Sequence, residues 1–171
     1  MRPTLKYFLL AVINGTLSFA ALATFERIDL YYDNLQFHRD MERGTNVGYL
    51  FEQPQLFWNI ATYIFHLALF LVATLILRRF LSKRGSIFFF WVSVGVLVAI
   101  GWAVTLSIGI VTNALATGHS PLEMFLQSII FRSSQRTGLI SLALILGVNV
   151  LFGAVTQIAT THRWHGEPRY S

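Results

Sequence analysis

The side chains best able to do chemistry in this chain lie inside apolar runs. Asn14, His66 and Asn149 each fall near the middle of a different run. Imidazole can change charge near neutral pH, which makes His66 the sharpest of the three. Asn59, Tyr63 and His66 recur at i, i+4 and i+7, the spacing of one helical face. Asn149 is continued by Gly153, Thr156, Gln157 and Thr160. Unpaired polar groups are costly in lipid, so these faces are expected to turn inward. Two chemistries fit them. One is a polar layer of interhelical hydrogen bonds that holds helices together. The other is a cavity for a head group, an ion or a proton. The candidates for either are Asn14, Asn59, Tyr63, His66, Asn149 and Gln157.

Several other chemistries are excluded or poorly served. The chain has no cysteine, so thiolate ligands, disulfides and a cysteine nucleophile are ruled out. Bis-imidazole haem ligation would need a second histidine at membrane depth. His38, His119, His162 and His165 all lie outside the apolar runs. His162 and His165 have i, i+3 spacing but no further ligands beside them, and are better placed with Arg163 against anionic lipid. There is no Gly-rich phosphate loop, nucleophile elbow or H-E-x-x-H motif. No carboxylate falls in an apolar run. The expectation is therefore a protein without a catalytic residue, metal or cofactor.

The runs themselves decide the fold class. Of 171 residues 54% are hydrophobic and only 12% charged, against about 25% charged in an ordinary soluble domain. The apolar stretches are about 7–25, 56–77, 87–112 and 139–159, and none contains Asp, Glu, Lys or Arg. Each is near the ~20 residues a helix needs to cross ~30 Å of hydrocarbon. Backbone groups in lipid must be bonded internally, so the stretches must be helices. The sequence thus predicts an all-α, single-domain integral membrane protein, a four-transmembrane-helix bundle. Gly101, Thr105 and Gly109 on the third helix and Gly153 on the fourth are expected to allow close helix packing, and such ridges permit a homo-oligomer.

Charge sorts by loop, which argues against nucleic acid as the partner of a chain with net charge +5. Arg2, Lys6, Arg78, Arg79, Lys83, Arg84, Arg163 and Arg169 fall on one side of the membrane. Glu26, Asp29, Asp33, Asp40, Glu42, Glu52 and Glu123 fall on the other, mixed with Arg27, Arg39, Arg43, Arg132 and Arg136. The basic side is expected to be cytoplasmic, which places both termini inside the cell (inner) membrane. Trp58, Trp91 and Trp164 fall where an aromatic belt would lie. A rival reading takes Arg2, Lys6, the first run and Ala21-Leu22-Ala23 as a cleaved signal peptide. Polar Asn14 and Thr16 interrupt that run and favour a retained helix.

Two segments remain on the outer side. In the loop 26–55, Asp29 to Arg43 reads as a solvated helix with Gly44 as its stop, either a cap over the bundle or a docking site using Tyr31, Tyr32, Leu35 and Phe37. Pro54 suits the first turn of the second membrane helix. Ser120-Pro121-Leu122-Glu123 reads as a capping box for an interfacial helix over about 121–131, with Leu122, Phe125, Leu126, Ile129 and Ile130 on one face.

The run Lys6-Tyr7-Phe8-Leu9-Leu10 followed by Asn14-Gly15-Thr16 resembles the first helix of the GtrA-like family of small four-helix membrane proteins. Leu75-Ile76-Leu77-Arg78-Arg79-Phe80 is similar to that family's apolar-basic-aromatic exit from helix two, and His162-Arg163-Trp164 is a looser echo. The resemblance implies translocation of polyprenyl-phosphate-linked sugars, or support of a glycosyltransferase that uses them. The alternative from composition alone is a non-catalytic subunit of a larger membrane complex. The first reading expects a groove open at the polar residues. The second expects a closed bundle with an outer surface for other membrane subunits. Membrane lipids are partners in both.

Overall fold

In the computed structural model, residues 3–44, 59–81, 86–118, 120, 122 and 133–165 are described. They form four α-helices and, among the described residues, no strand: α1 Pro3–Glu42, α2 Ile60–Leu81, α3 Ile87–Thr117 and α4 Ser133–His165. Each contains a stretch long and apolar enough to cross a membrane: Leu5–Tyr32, Ile60–Phe80, Ile87–Thr117 and Ile140–Thr161.

Helix ends follow local chemistry. No glycine or proline interrupts the chain between Gly15 and Gly44. α1 therefore runs on through the expected outer helix as one rod of 40 residues, about 60 Å at 1.5 Å per residue. The membrane helix and the 29–43 helix, read separately from sequence, are one element. It stops at Gly44, whose φ of 67° is left-handed backbone that glycine adopts without strain. α2 is described from Ile60, with Asn59 as its cap: Asn59 Oδ1 accepts from Thr62 N and Thr62 Oγ1, each at 2.7 Å, while residues 56–58 of the expected span lie outside the described residues. Pro54 lies outside the described residues. α3 ends at Gly118 (φ 72°), whose N–H bonds Ala114 O. The expected interfacial helix lies, apart from Leu122, outside the described residues.

The helices pack in a ring. α1 contacts α2 and α4, and α3 contacts α2 and α4. Neighbours run antiparallel: Gly15 faces Phe70 while Phe19 faces Tyr63, and Gly95 faces Asn149 while Gly153 faces Phe88. The start of α1 thus shares one end with the finish of α2. There Arg78 stands over the Tyr7 ring, 5.7 Å from its centre, and Tyr7 meets Phe90 of α3 edge-on.

The interior is filled by Leu22, Phe70, Trp91, Val94, Val98, Trp102 and Ile145. The outside is apolar too. Leu9, Ile13 and Leu17 of α1, Ile64 and Leu75 of α2, Val104 and Ile108 of α3, and Leu151 and Val155 of α4 are exposed. A water-soluble protein would bury such contiguous apolar surface. Lipid tails are its natural solvent, so this is a multi-pass membrane protein. Trp91 departs from the aromatic-belt expectation. It is fully buried, with Phe90 and Phe152 edge-on to it at 5.2 and 5.0 Å. Its position on the helix wheel faces inward, and this outweighs its nearness to the helix end. The side chains of Trp58 and Trp164 lie outside the described residues.

Candidate functional site

The polar residues expected at membrane depth separate into distinct contacts. Asn14 and Asn149 meet directly: Asn14 Nδ2 donates to Asn149 Oδ1 at 2.8 Å, joining α1 to α4. Asn149 Nδ2 donates back to Ile145 O at 2.8 Å. The amide pair is pressed against α3 at Gly95, where a Cβ would come within 2.6 Å of Asn149 Cβ. Only glycine lets the two backbones approach so closely.

His66 lies opposite residues 15–19 of α1, about one turn from Asn14. Its bond is to α3: Trp102 Nε1 donates to His66 Nδ1 at 2.9 Å. Phe70, Phe19 and Trp102 surround the imidazole, with ring centres 5.0, 5.7 and 6.1 Å away. Asn14, His66 and Asn149 all have 0% exposure.

The remaining candidates do other work. Tyr63 OH bonds Thr16 Oγ1 at 3.0 Å, and its ring packs edge-on to Phe19. Asn59 shares a face with His66 as the spacing requires, but it is exposed and caps α2. Gln157 belongs to the opposite end of the ring. Its Oε1 accepts from Ser86 Oγ at 3.0 Å and from Phe88 N at 3.4 Å, so α4 helps cap the start of α3. These six residues therefore do not form one pocket. The structure joins Asn14 to Asn149, sets His66 and Tyr63 beside them around Phe19, and leaves Asn59 and Gln157 apart.

The expected packing ridge also divides. Gly101 takes part, since a Cβ there would meet Leu69 Cδ2 at 3.0 Å. Gly153 packs on Phe88, whose carbonyl oxygen would lie 3.0 Å from a Cβ. Thr105 is exposed and bonds its own helix at Gly101 O. Gly109 has nothing within 4 Å of a Cβ position. The close α3–α4 contact is made at Gly95, which the small-xxx-small spacing did not mark.

Sequence reasoning also missed Trp102 and Ser18. A tryptophan in an apolar run carries no sign of which neighbour its N–H will reach. Ser18 did carry a signal: Ala11, Asn14, Ser18 and Leu22 repeat at three and four residues and form the buried face of α1.

Five buried side-chain atoms have no hydrogen-bond partner among the described residues: Asn14 Oδ1, Ser18 Oγ, His66 Nε2, Thr74 Oγ1 and Trp91 Nε1. Among the described residues no three His, Asp or Glu side chains group as a metal site. Comparison with family models, curated proteins and solved structures returns no match for this chain.

Proposed function

We propose that this chain is a non-catalytic subunit of a larger assembly in the cell membrane, with both termini cytoplasmic and the far end of α1 as its docking element. The observation that carries this reading is the use made of the deep polar side chains. Asn14, His66 and Asn149 are fully buried, and each bonds a side chain on another helix. Groups committed in this way hold helices in register. The rings of Phe19 and Phe70 pack against the His66 imidazole.

The docking element follows from length. A rod of ~60 Å crosses ~30 Å of hydrocarbon with half its length to spare. At and beyond the end of its apolar stretch lie exposed Ile28, Tyr31, Tyr32 and Met41, with charged Arg39 and Glu42 among them. Aromatic residues and Arg on a polar rod are the composition of a protein interface. Deleting residues 28–43 is expected to abolish co-purification of partner subunits in mild detergent while the membrane helices stay folded. Unchanged co-purification would remove this reading.

Orientation has a clean probe because the chain has no cysteine. A single cysteine at Arg79 is expected to react with an impermeant thiol reagent only from the cytoplasm, and one at Tyr32 only from outside. The resemblance to GtrA-like proteins motivates the competing reading, a translocator of polyprenyl-linked sugars. That reading needs the polar groups to become open to substrate. His66→Ala and Asn149→Ala would then abolish transport and leave folding intact, whereas the subunit reading expects a loss of stability instead.

A further inference from the structure

Trp102 Nε1 is a donor only, so the ring nitrogen it reaches, His66 Nδ1, must be the unprotonated acceptor. The imidazole proton is then on Nε2. That N–H is buried and has no partner among the described residues. Asn14 commits its amide nitrogen to Asn149 and leaves Oδ1 as a buried acceptor, also without a partner there. Ser18 follows Asn14 by one helical turn on the same buried face, and its hydroxyl is in the same condition.

These atoms belong to facing helices at neighbouring depths in the interior: Phe19, one residue past Ser18, packs on His66, and Asn14 is one turn before Ser18. Phe70 lies between Gly15 and His66: a Cβ on Gly15 would meet its ring at 3.2 Å, and its ring centre is 5.0 Å from the imidazole. Phe19, next to Ser18 in sequence, packs against the imidazole at 5.7 Å. Burial keeps all three polar atoms from solvent while they have no partner among the described residues. Those atoms are one donor, one acceptor and one hydroxyl that can be either. The set selects its guest. An anion would be repelled by Asn14 Oδ1, and a cation by the His66 N–H. A small neutral molecule that both donates and accepts satisfies all three, and buried waters characteristically make about three such bonds.

We propose that His66 Nε2, Ser18 Oγ and Asn14 Oδ1 form an internal water-binding site, sealed inside the ring, which links α1 to α2 between the Asn14–Asn149 and His66–Trp102 bonds. Water there accepts from His66 Nε2–H and donates to Asn14 Oδ1, with Ser18 completing its coordination. The site does not depend on whether the chain docks a partner.

The test uses the full chain in lipid nanodiscs with ¹⁵N-labelled histidine. The His66 side chain is expected as the Nε2–H tautomer, and its Nε2 proton should give a cross-peak to water of the sign that a long-resident molecule produces. Ser18→Val, which replaces the hydroxyl with methyl groups, should weaken that cross-peak at least several-fold while helical circular dichroism is retained. The wild-type spectrum decides by itself. A Nε2 proton whose only cross-peaks are to protein protons would overturn the site, as would a cross-peak to rapidly exchanging bulk water. A fully retained cross-peak in folded Ser18→Val would remove Ser18 from it.

Discussion

The Asn14–Asn149 and His66–Trp102 contacts both join two helices through fully buried polar side chains, about one turn apart in depth, yet they are built differently. Asn149 uses both ends of its amide, accepting from Asn14 and donating to Ile145 O, and the backbone of α3 closes on it at Gly95. The His66 contact rests on one N–H from a residue that can only donate, and rings surround it instead of backbone. The first is a locked joint with little room to adjust. The second is softer, and the other ring nitrogen of the histidine takes no part in it. Burial alone therefore does not fix how rigid a polar contact is. What matters is how many of its groups are used and how closely the backbone stands behind it.

That difference can be put under strain. The largest effect is expected at Gly95→Ala, where the new methyl would lie 2.6 Å from Asn149 Cβ and 2.8 Å from its Cγ. Neither atom is the far end of a flexible chain, so α3 and α4 must separate. A loss of about 1–3 kcal/mol follows from overpacking of this kind, measurable by denaturant unfolding in detergent. Gly147→Ala is the control. Nothing lies within 4 Å of its Cβ position, so no loss is expected.

Asn149→Ala comes next. It strands Asn14 Nδ2 in the interior and should cost about 1–2 kcal/mol. The Asn14→Ala/Asn149→Ala double variant should lose less than the sum of its two single variants, because it leaves no stranded amide. Strict additivity in the unfolding curves would mean that the pair is not coupled.

Trp102→Phe probes the softer contact. It keeps an aromatic ring but removes the N–H that donates to His66 Nδ1, at an expected cost of about 1 kcal/mol. A larger loss than at Asn149 would reverse the ranking of the two joints. Tyr63→Phe should have the smallest effect, about 0.6 kcal/mol or less, since the Thr16 bond it breaks is partly exposed.

The membrane character was legible before any coordinates, and so were particular punctuation points. Gly44 reads as a stop and is one. Asn14 and Asn149, chosen for depth alone, are bonded to each other. Other features were hidden for physical reasons. Asn59 shares a helical face with His66, but a face says nothing about height, and at the first turn its side chain serves the backbone of α2. Gln157 reads as an extension of the Asn149 stripe, yet it is two turns further along α4, where the N-terminus of α3 has N–H groups to satisfy. Gly109 sits in an ideal small-residue spacing, yet no described residue comes within 4 Å of a Cβ there.

Hydropathy and helix length are properties of one segment at a time, so the sequence by itself determined four bilayer-length helices and the inward demand of their polar residues. Which residues meet is a property of pairs. It depends on the tilt and rotation of each helix about its axis, and a rotation of a few tens of degrees exchanges one neighbour for another. Only the tertiary structure could therefore decide that Gly95 and not Gly109 carries the close contact. The same holds for Trp102 reaching His66.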